Sequence, residues 1–118
     1  MTSETRPTDR KSQILKGLAE LALLALLRGE AKYGLEILDG LRVEAGLDVA
    51  EGTIYPLLHR LERAGLVRSE WRLDHQGGRP RKYYALTKTG AAESTTLAEE
   101  WRQLSSKLSS FLNRKAKQ

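Results

Sequence analysis

Thr53, Tyr55, Pro56, His59, Arg60 and Arg63 lie within eleven residues of one another and bring together a hydroxyl, a phenol, an imidazole and two guanidiniums. Spread over an exposed surface, groups of that kind bind anions and read the polar edges of bases. They are poorly suited to bond-breaking chemistry. The chain has two histidines, His59 and His75, and neither stands at ligand spacing from a paired carboxylate. Cysteine is absent, so a thiolate nucleophile, a cysteine metal site and a disulfide are all excluded. No glycine-rich phosphate loop and no HExxH pair occurs. The expectation is a binding protein with no catalytic residues, no metal and no cofactor.

The segment that must carry these groups is EGTIYPLLHRLERAGL, Glu51 to Leu66. At about 100° per residue, Ile54, Leu57, Leu58 and Leu61 gather on one side of a helix. Gly52, Pro56, His59 and Arg63 fall opposite, with Thr53 and Arg60 on one flank and Tyr55 and Glu62 on the other. Such a helix has an apolar back for a core and a front suited to an anionic partner. A solvated surface helix has the same pattern, so the segment alone does not decide between them. Pro56 fits if the regular helix begins near Thr53 with its hydroxyl as the cap, while an irregular start from Glu51 stays open. Gly52 leaves the backbone room to approach a phosphate.

The flanking sequence supplies the context. Tyr33 to Ala45 places Ile37, Leu38, Leu41 and Ala45 at helical spacing, with Gly46 as a stop. Two short helices with a tight connection match a helix-turn-helix in outline. After Gly65 the period becomes alternating: Val67, Ser69, Trp71 and Leu73 fall on one side of a strand and Arg68, Glu70, Arg72 and Asp74 on the other. The polar tip HQGGRP and a second run, RKYYALT, complete a hairpin whose basic residues Arg79, Arg81 and Lys82 suit a wing on phosphates or in a minor groove. From Arg60 to Lys88 there are eight basic and three acidic residues, so the whole net charge of +5 sits in this quarter of the chain. A charge so placed favours a polyanion over mere solubility.

The outer parts complete the layout. Residues 1–10 are expected to form a flexible tail, with Thr8, Asp9 or Ser12 available to cap the first helix. Lys11 to Arg28 is rich in Leu and Ala and is stopped by Gly29. Its apolar second half must be covered either by the later helices or by a second subunit. Gly29 to Lys32 is expected to be a turn, with room for a short extended piece. Thr87 can cap a last helix, Lys88 to Arg114, on which Leu97, Trp101, Leu104, Leu108 and Phe111 are spaced 4, 3, 4, 3 as in a coiled-coil seam. That seam, with Leu18, Leu21 and Leu24 of the first helix, is the expected homodimer interface, and packing within one chain is the alternative. The length suits one core, divided into the tail, a DNA-binding domain over 11–87 and a dimerisation helix with a basic tail over 88–118. No secretory signal or membrane span is evident, which gives a cytoplasmic expectation.

In LKGLAELALLALL, YGLEIL, EGTIYPLLHRLERAGLVRSEW and GGRPRKYYALTKTG, the chain resembles the PadR family of bacterial winged-helix transcriptional regulators, over about Ile14 to Leu112. A single terminal helix is similar to the short subgroup of that family. The resemblance implies a mainly α (α+β) fold: a winged helix-turn-helix with a two-stranded β-wing and a C-terminal dimerisation helix. It implies a homodimer that binds a palindromic double-stranded DNA operator, usually as a repressor released by a small molecule. It adds Tyr33 to the DNA-facing set and strengthens Thr53 and Tyr55. It also implies that Trp101 stacks on a planar aromatic effector between subunits, where a plain dimer-core tryptophan is the other reading. The competing function is a winged-helix module that binds a protein or sequesters a small molecule and does not act through DNA.

Overall fold

A computed structural model describes residues 7–73 and 78–117, and the side chains of 7–13 and of Lys16 lie outside that description. The proposed caps at Thr8, Asp9 and Ser12 and the wing tip around His75 therefore fall outside the described residues. The elements run α1 (Pro7–Leu26), β1 (Lys32–Tyr33), α2 (Gly34–Val43), α3 (Glu51–Arg63), β2 (Val67–Arg72), β3 (Arg81–Leu86) and α4 (Lys88–Ala116). This is the mainly α winged helix-turn-helix expected from the sequence.

Three details differ from the sequence reading. Helix α1 begins at Pro7, four residues before Lys11; proline suits a first turn, where its missing N–H would have no helical acceptor. The sheet has three strands in the order β1-β3-β2, because Lys32 and Tyr33 pair antiparallel with Tyr84 and Tyr83. Helix α3 starts at Glu51 with Ala50 as its cap, so Thr53 is not the cap: its backbone N–H and that of Ile54 bond to the Ala50 carbonyl at 2.9 and 3.2 Å. Pro56 thus sits as an interior residue with no N–H for the Gly52 carbonyl. Gly52 is exposed, so water can serve that carbonyl.

The core is built by the chain itself. Leu23 and Leu24 of α1 with Leu27 just after it, Ile37 and Leu41 of α2, Ile54, Leu57, Leu58 and Leu61 of α3, and Val67 and Tyr84 of the sheet form one buried cluster. Burying each such side chain contributes about 1.5–3 kcal/mol, so this cluster dominates what holds α3 in place. Leu24 is fully buried here. It is occupied by its own chain and drops out of the expected subunit interface. The second half of α1 is therefore covered mainly by the later helices of the same chain.

Helix α4 leaves this core behind. Thr87 caps it as expected, its hydroxyl accepting from the Gly90 N–H at 3.0 Å and donating to the Gly65 carbonyl at 2.6 Å. Leu97 still packs on the core, but Trp101, Leu104, Leu108, Phe111 and Leu112 are exposed. The molecule is consequently elongated, 62 × 34 × 26 Å, with a radius of gyration of 17.0 Å where about 13–14 Å is usual for this length. Among the described residues no helix is long and apolar enough to cross a membrane.

Candidate nucleic-acid interface

Helix α3 presents the face its periodicity promised. Ile54, Leu57, Leu58 and Leu61 are buried, while Gly52, Tyr55, Pro56, His59, Arg60 and Arg63 are exposed and Thr53 is half-buried. Gly52, Thr53, Pro56, Leu57 and Arg60 line an open groove of about 400 Å³ on this surface. His59 and Arg63 have no salt-bridge partner among the described residues. Both stay available to an outside ligand.

Arg60 and Tyr55 are already engaged. The Arg60 guanidinium donates to the Glu20 carboxylate of α1 at 3.0 Å, although the arginine side chain remains 69% exposed. A pair so accessible to water is worth only ~0.2–1 kcal/mol, so the arginine can leave it. Tyr55 lays its ring over the start of α2: a Cβ added at Gly34 would fall on the phenolic oxygen. Glycine at 34 is thus what lets Tyr55 tie α2 to α3. Tyr55 combines packing with an exposed edge.

The wing cations divide between two faces of the sheet. The register pairs Val67 with Leu86, Ser69 with Tyr84 and Trp71 with Lys82 on one face. Arg68 with Ala85, Glu70 with Tyr83 and Arg72 with Arg81 occupy the other. Arg81 and Lys82, adjacent in sequence, therefore point in opposite directions. On the outer face Arg81 lies 4.4 Å from the Tyr33 ring centre, Tyr33 meets Tyr83 edge-on at 5.5 Å, and Arg72 lies 4.7 Å from the Tyr83 ring. Cation–π contacts of this kind contribute about 0.5–1 kcal/mol each at exposed sites and stiffen the wing root against α2. Glu70 lies between Arg72 at 3.0 Å and Arg68 at 3.7 Å. Arg79 is exposed at the near side of the tip.

On the inner face Ser69 donates to the Glu62 carboxylate at 2.5 Å, which ties β2 to the end of α3. Burial, with the nearby Glu62 and Tyr55, raises the Tyr84 phenol above its ordinary pKa. The tyrosine stays neutral there. Tyr33 caps no bond with its side chain; instead the Glu36 carboxylate accepts from the Tyr33 N–H at 3.1 Å, which helps start α2. No cluster of three metal-ligating side chains occurs among the described residues.

Two participants are not evident from sequence pattern. Glu20, the partner of Arg60, lies forty residues away and nothing in the local pattern links them. Alternation puts Trp71 on the apolar side of β2 with Val67, yet it is 67% exposed, and Leu73 beyond it is 76% exposed. The available signal is position: Trp71 stands nearer the tip than the core can reach.

The second surface of interest is a groove of about 640 Å³ between α1 and α4. It is lined by Ile14, Leu18, Leu21, Leu97, Trp101, Leu104 and Leu108, together with Gly17 and the carboxylate residues Glu20 and Glu100. Leu18 and Leu21 are half-buried in it, so both remain open to a further partner.

Comparison with known proteins agrees with this architecture. Residues 23–96 match the model of the transcriptional regulator PadR-like family. A transcriptional regulator of Mycobacterium tuberculosis is 48% identical over 50 residues, 42% of this chain and 45% of that protein. Among solved structures, a PadR-like transcription factor from Bacteroides fragilis is 40% identical, covers 87% of this chain and 98% of its own, and superposes with a TM-score of 0.69. A PadR-like regulator from Bacillus cereus is 31% identical, with 85% and 96% covered and a TM-score of 0.75.

Proposed function

The chain belongs to the PadR-like family of transcriptional regulators, and from that membership we propose that it is a ligand-responsive repressor which binds a palindromic operator as a homodimer. The observation that carries the reading is an exposed α3 face bearing His59, Arg60 and Arg63 beside a wing that holds most of the chain's excess positive charge. In this reading α3 enters the major groove and reads base edges through Thr53, Tyr55, Pro56, His59, Arg60 and Arg63. Tyr33, Arg79, Arg81 and Lys82 hold the flanking backbone.

The exposed seam on α4 supports the dimer. Trp101, Leu104, Leu108 and Phe111 present a continuous apolar ridge to water, and Leu18, Leu21 and Leu97 border it. A second copy would cover that ridge and place two α3 helices on half-sites about one turn apart, or a multiple of it. The division of the chain into a DNA-binding part over 11–87 and a pairing helix over 88–118 belongs to the same proposal. Leu108→Glu should turn a sedimenting dimer into a monomer, and a wild-type monomer at micromolar concentration overturns the proposal.

The same groove suits a planar aromatic effector stacked on Trp101, since a flat apolar ligand gains most against an indole in a half-enclosed apolar site. Indole emission unchanged across a titration of planar aromatic compounds would overturn this part.

The decisive experiment selects bound duplexes from a random pool and follows affinity against salt. DNA binding of this kind loses affinity steeply as salt rises, because each phosphate contact releases a counterion. Lys82→Ala should weaken binding to all sequences and flatten that slope. His59→Ala should relax discrimination by ~1–3 kcal/mol. Equal effects of both variants on selected and random DNA would overturn the assignment.

A further inference from the structure

Trp71 is the largest apolar side chain that neither the core nor the α1–α4 groove accounts for. A tryptophan left 67% exposed, with Leu73 beyond it at 76%, keeps in water a surface that chains of this size normally bury. The core does not reach it, and the sheet gives it no aromatic neighbour among the described contacts.

Its direction is fixed by the register. Trp71 pairs with Lys82 on the face that carries Ser69, two residues earlier in β2. Ser69 is hydrogen-bonded to Glu62, so this face looks toward α3. The flank of α3 that carries Glu62 also carries Tyr55, with His59 beside it. Trp71 therefore stands about 7 Å farther out along the strand than Ser69, on the side of the wing turned toward the exposed edge of α3. Arg72 and Arg81 project from the opposite face and lie against Tyr83 and Tyr33.

Charge identifies the occupant. Residues 63–82 hold six basic side chains (Arg63, Arg68, Arg72, Arg79, Arg81, Lys82) and two acidic ones (Glu70, Asp74), a balance of +4. An apolar protein surface docking here would have to desolvate those cations, and a second copy of the chain would bring the same charge. A polyanion whose sugars offer apolar C–H surface beside the phosphates is favoured by both the charge and the ring.

The geometry points to Trp71 as a DNA-contacting residue that packs its indole on the backbone sugars, or the minor-groove edge, of the strand running between α3 and the wing. The inference rests on the DNA-binding reading and adds to it a shape-dependent apolar contact. Lys82 is the cation on the same face, so Lys82 and Trp71 grip that strand together.

The test uses the full chain labelled with 5-fluorotryptophan, whose two fluorine resonances are assigned with Trp71→Phe. Duplex binding is followed in parallel by anisotropy of a labelled duplex. On saturation with DNA the Trp71 resonance should shift or broaden and lose its sensitivity to solvent isotope. Trp71→Ala should weaken selected and random duplexes alike by about fivefold or more, the loss expected from burying part of an indole, with the melting temperature unchanged, while Trp71→Phe keeps most of the affinity. Duplex binding that leaves the Trp71 resonance unmoved overturns the inference alone. A Trp71 shift that follows protein concentration and not DNA also overturns it, since the ring then belongs to a contact between copies. Absence of duplex binding by anisotropy fails the underlying DNA reading, and the inference with it.

Discussion

Glu20→Gln tests whether Arg60 is held back from DNA. In the free protein the Arg60 guanidinium sits 3.0 Å from the Glu20 carboxylate, and the two side chains are 69% and 34% exposed. An ion pair in that much water stabilises by ~0.2–1 kcal/mol. The amide should therefore lower the melting temperature by no more than about 8 °C, the upper end for 1 kcal/mol in a domain near this size. If Arg60 must leave Glu20 to reach a phosphate or a guanine, the same energy opposes DNA binding. Removing it should tighten operator binding by up to about fivefold, since 1.4 kcal/mol is tenfold. The assay is anisotropy of a labelled operator duplex at two salt concentrations for wild type, Glu20→Gln, Arg60→Ala and the double variant. The gain should vanish in the Arg60→Ala background. An equal gain with and without Arg60 would refute the reasoning, because Glu20 would then act only as a negative charge near DNA.

Other perturbations probe separate parts of the molecule. Gly52 lies in the first turn of α3 with nothing within 4 Å of an added Cβ, so Gly52→Ala should stabilise the fold by up to about 1 kcal/mol in thermal melts. Its operator affinity should fall, because the methyl intrudes where the backbone nears a phosphate; unchanged affinity would remove Gly52 from the interface. Gly90→Ala should lose about 1–3 kcal/mol or more in denaturant titrations, since the new methyl collides with the Leu66 carbonyl. The raised pKa of Tyr84, caused first by burial and then by Glu62 and Tyr55, means that the folded state prefers the neutral phenol. That preference is fully present below the ordinary tyrosine value near 10 and is lost as pH climbs toward the folded value. Alkaline destabilisation should therefore begin near pH 10 and be smaller in Tyr84→Phe, measured by urea midpoints at stepped pH.

The reading helix is legible in the sequence because its pattern is local: four apolar residues at helical spacing fix which side faces inward, and the outer residues are then determined. What periodicity cannot say is what stands next to a flank. Arg60 meets Glu20 through a fold-level contact across forty residues. The second half of α1 is apolar nearly all round, so its pattern offers no means to separate Leu24, buried in its own core, from Leu21, which borders the α4 groove. Strand β1 has two residues and shows itself only by pairing with β3. Alternation in β2 marks the parity of Trp71 correctly, but parity is not burial, and the inner face outruns the core after Ser69. The tip cations form one cluster in sequence, and only the register separates Arg81 from Lys82.

The junction where α4 leaves the winged domain has a mechanical consequence. An added Cβ at Gly90 would fall on the Leu66 carbonyl, the Thr87 N–H bonds that same carbonyl at 3.1 Å, and the Thr87 hydroxyl holds the Gly65 carbonyl next to it. Two hydrogen bonds and one close backbone approach thus join the root of a 29-residue helix to the corner at which α3 turns into β2. Such a joint has no slack. In the proposed dimer, tilting one α4 against its mate would swing the whole reading head like a rigid arm, so the distance between the two α3 helices would be set by the crossing angle of the α4 pair.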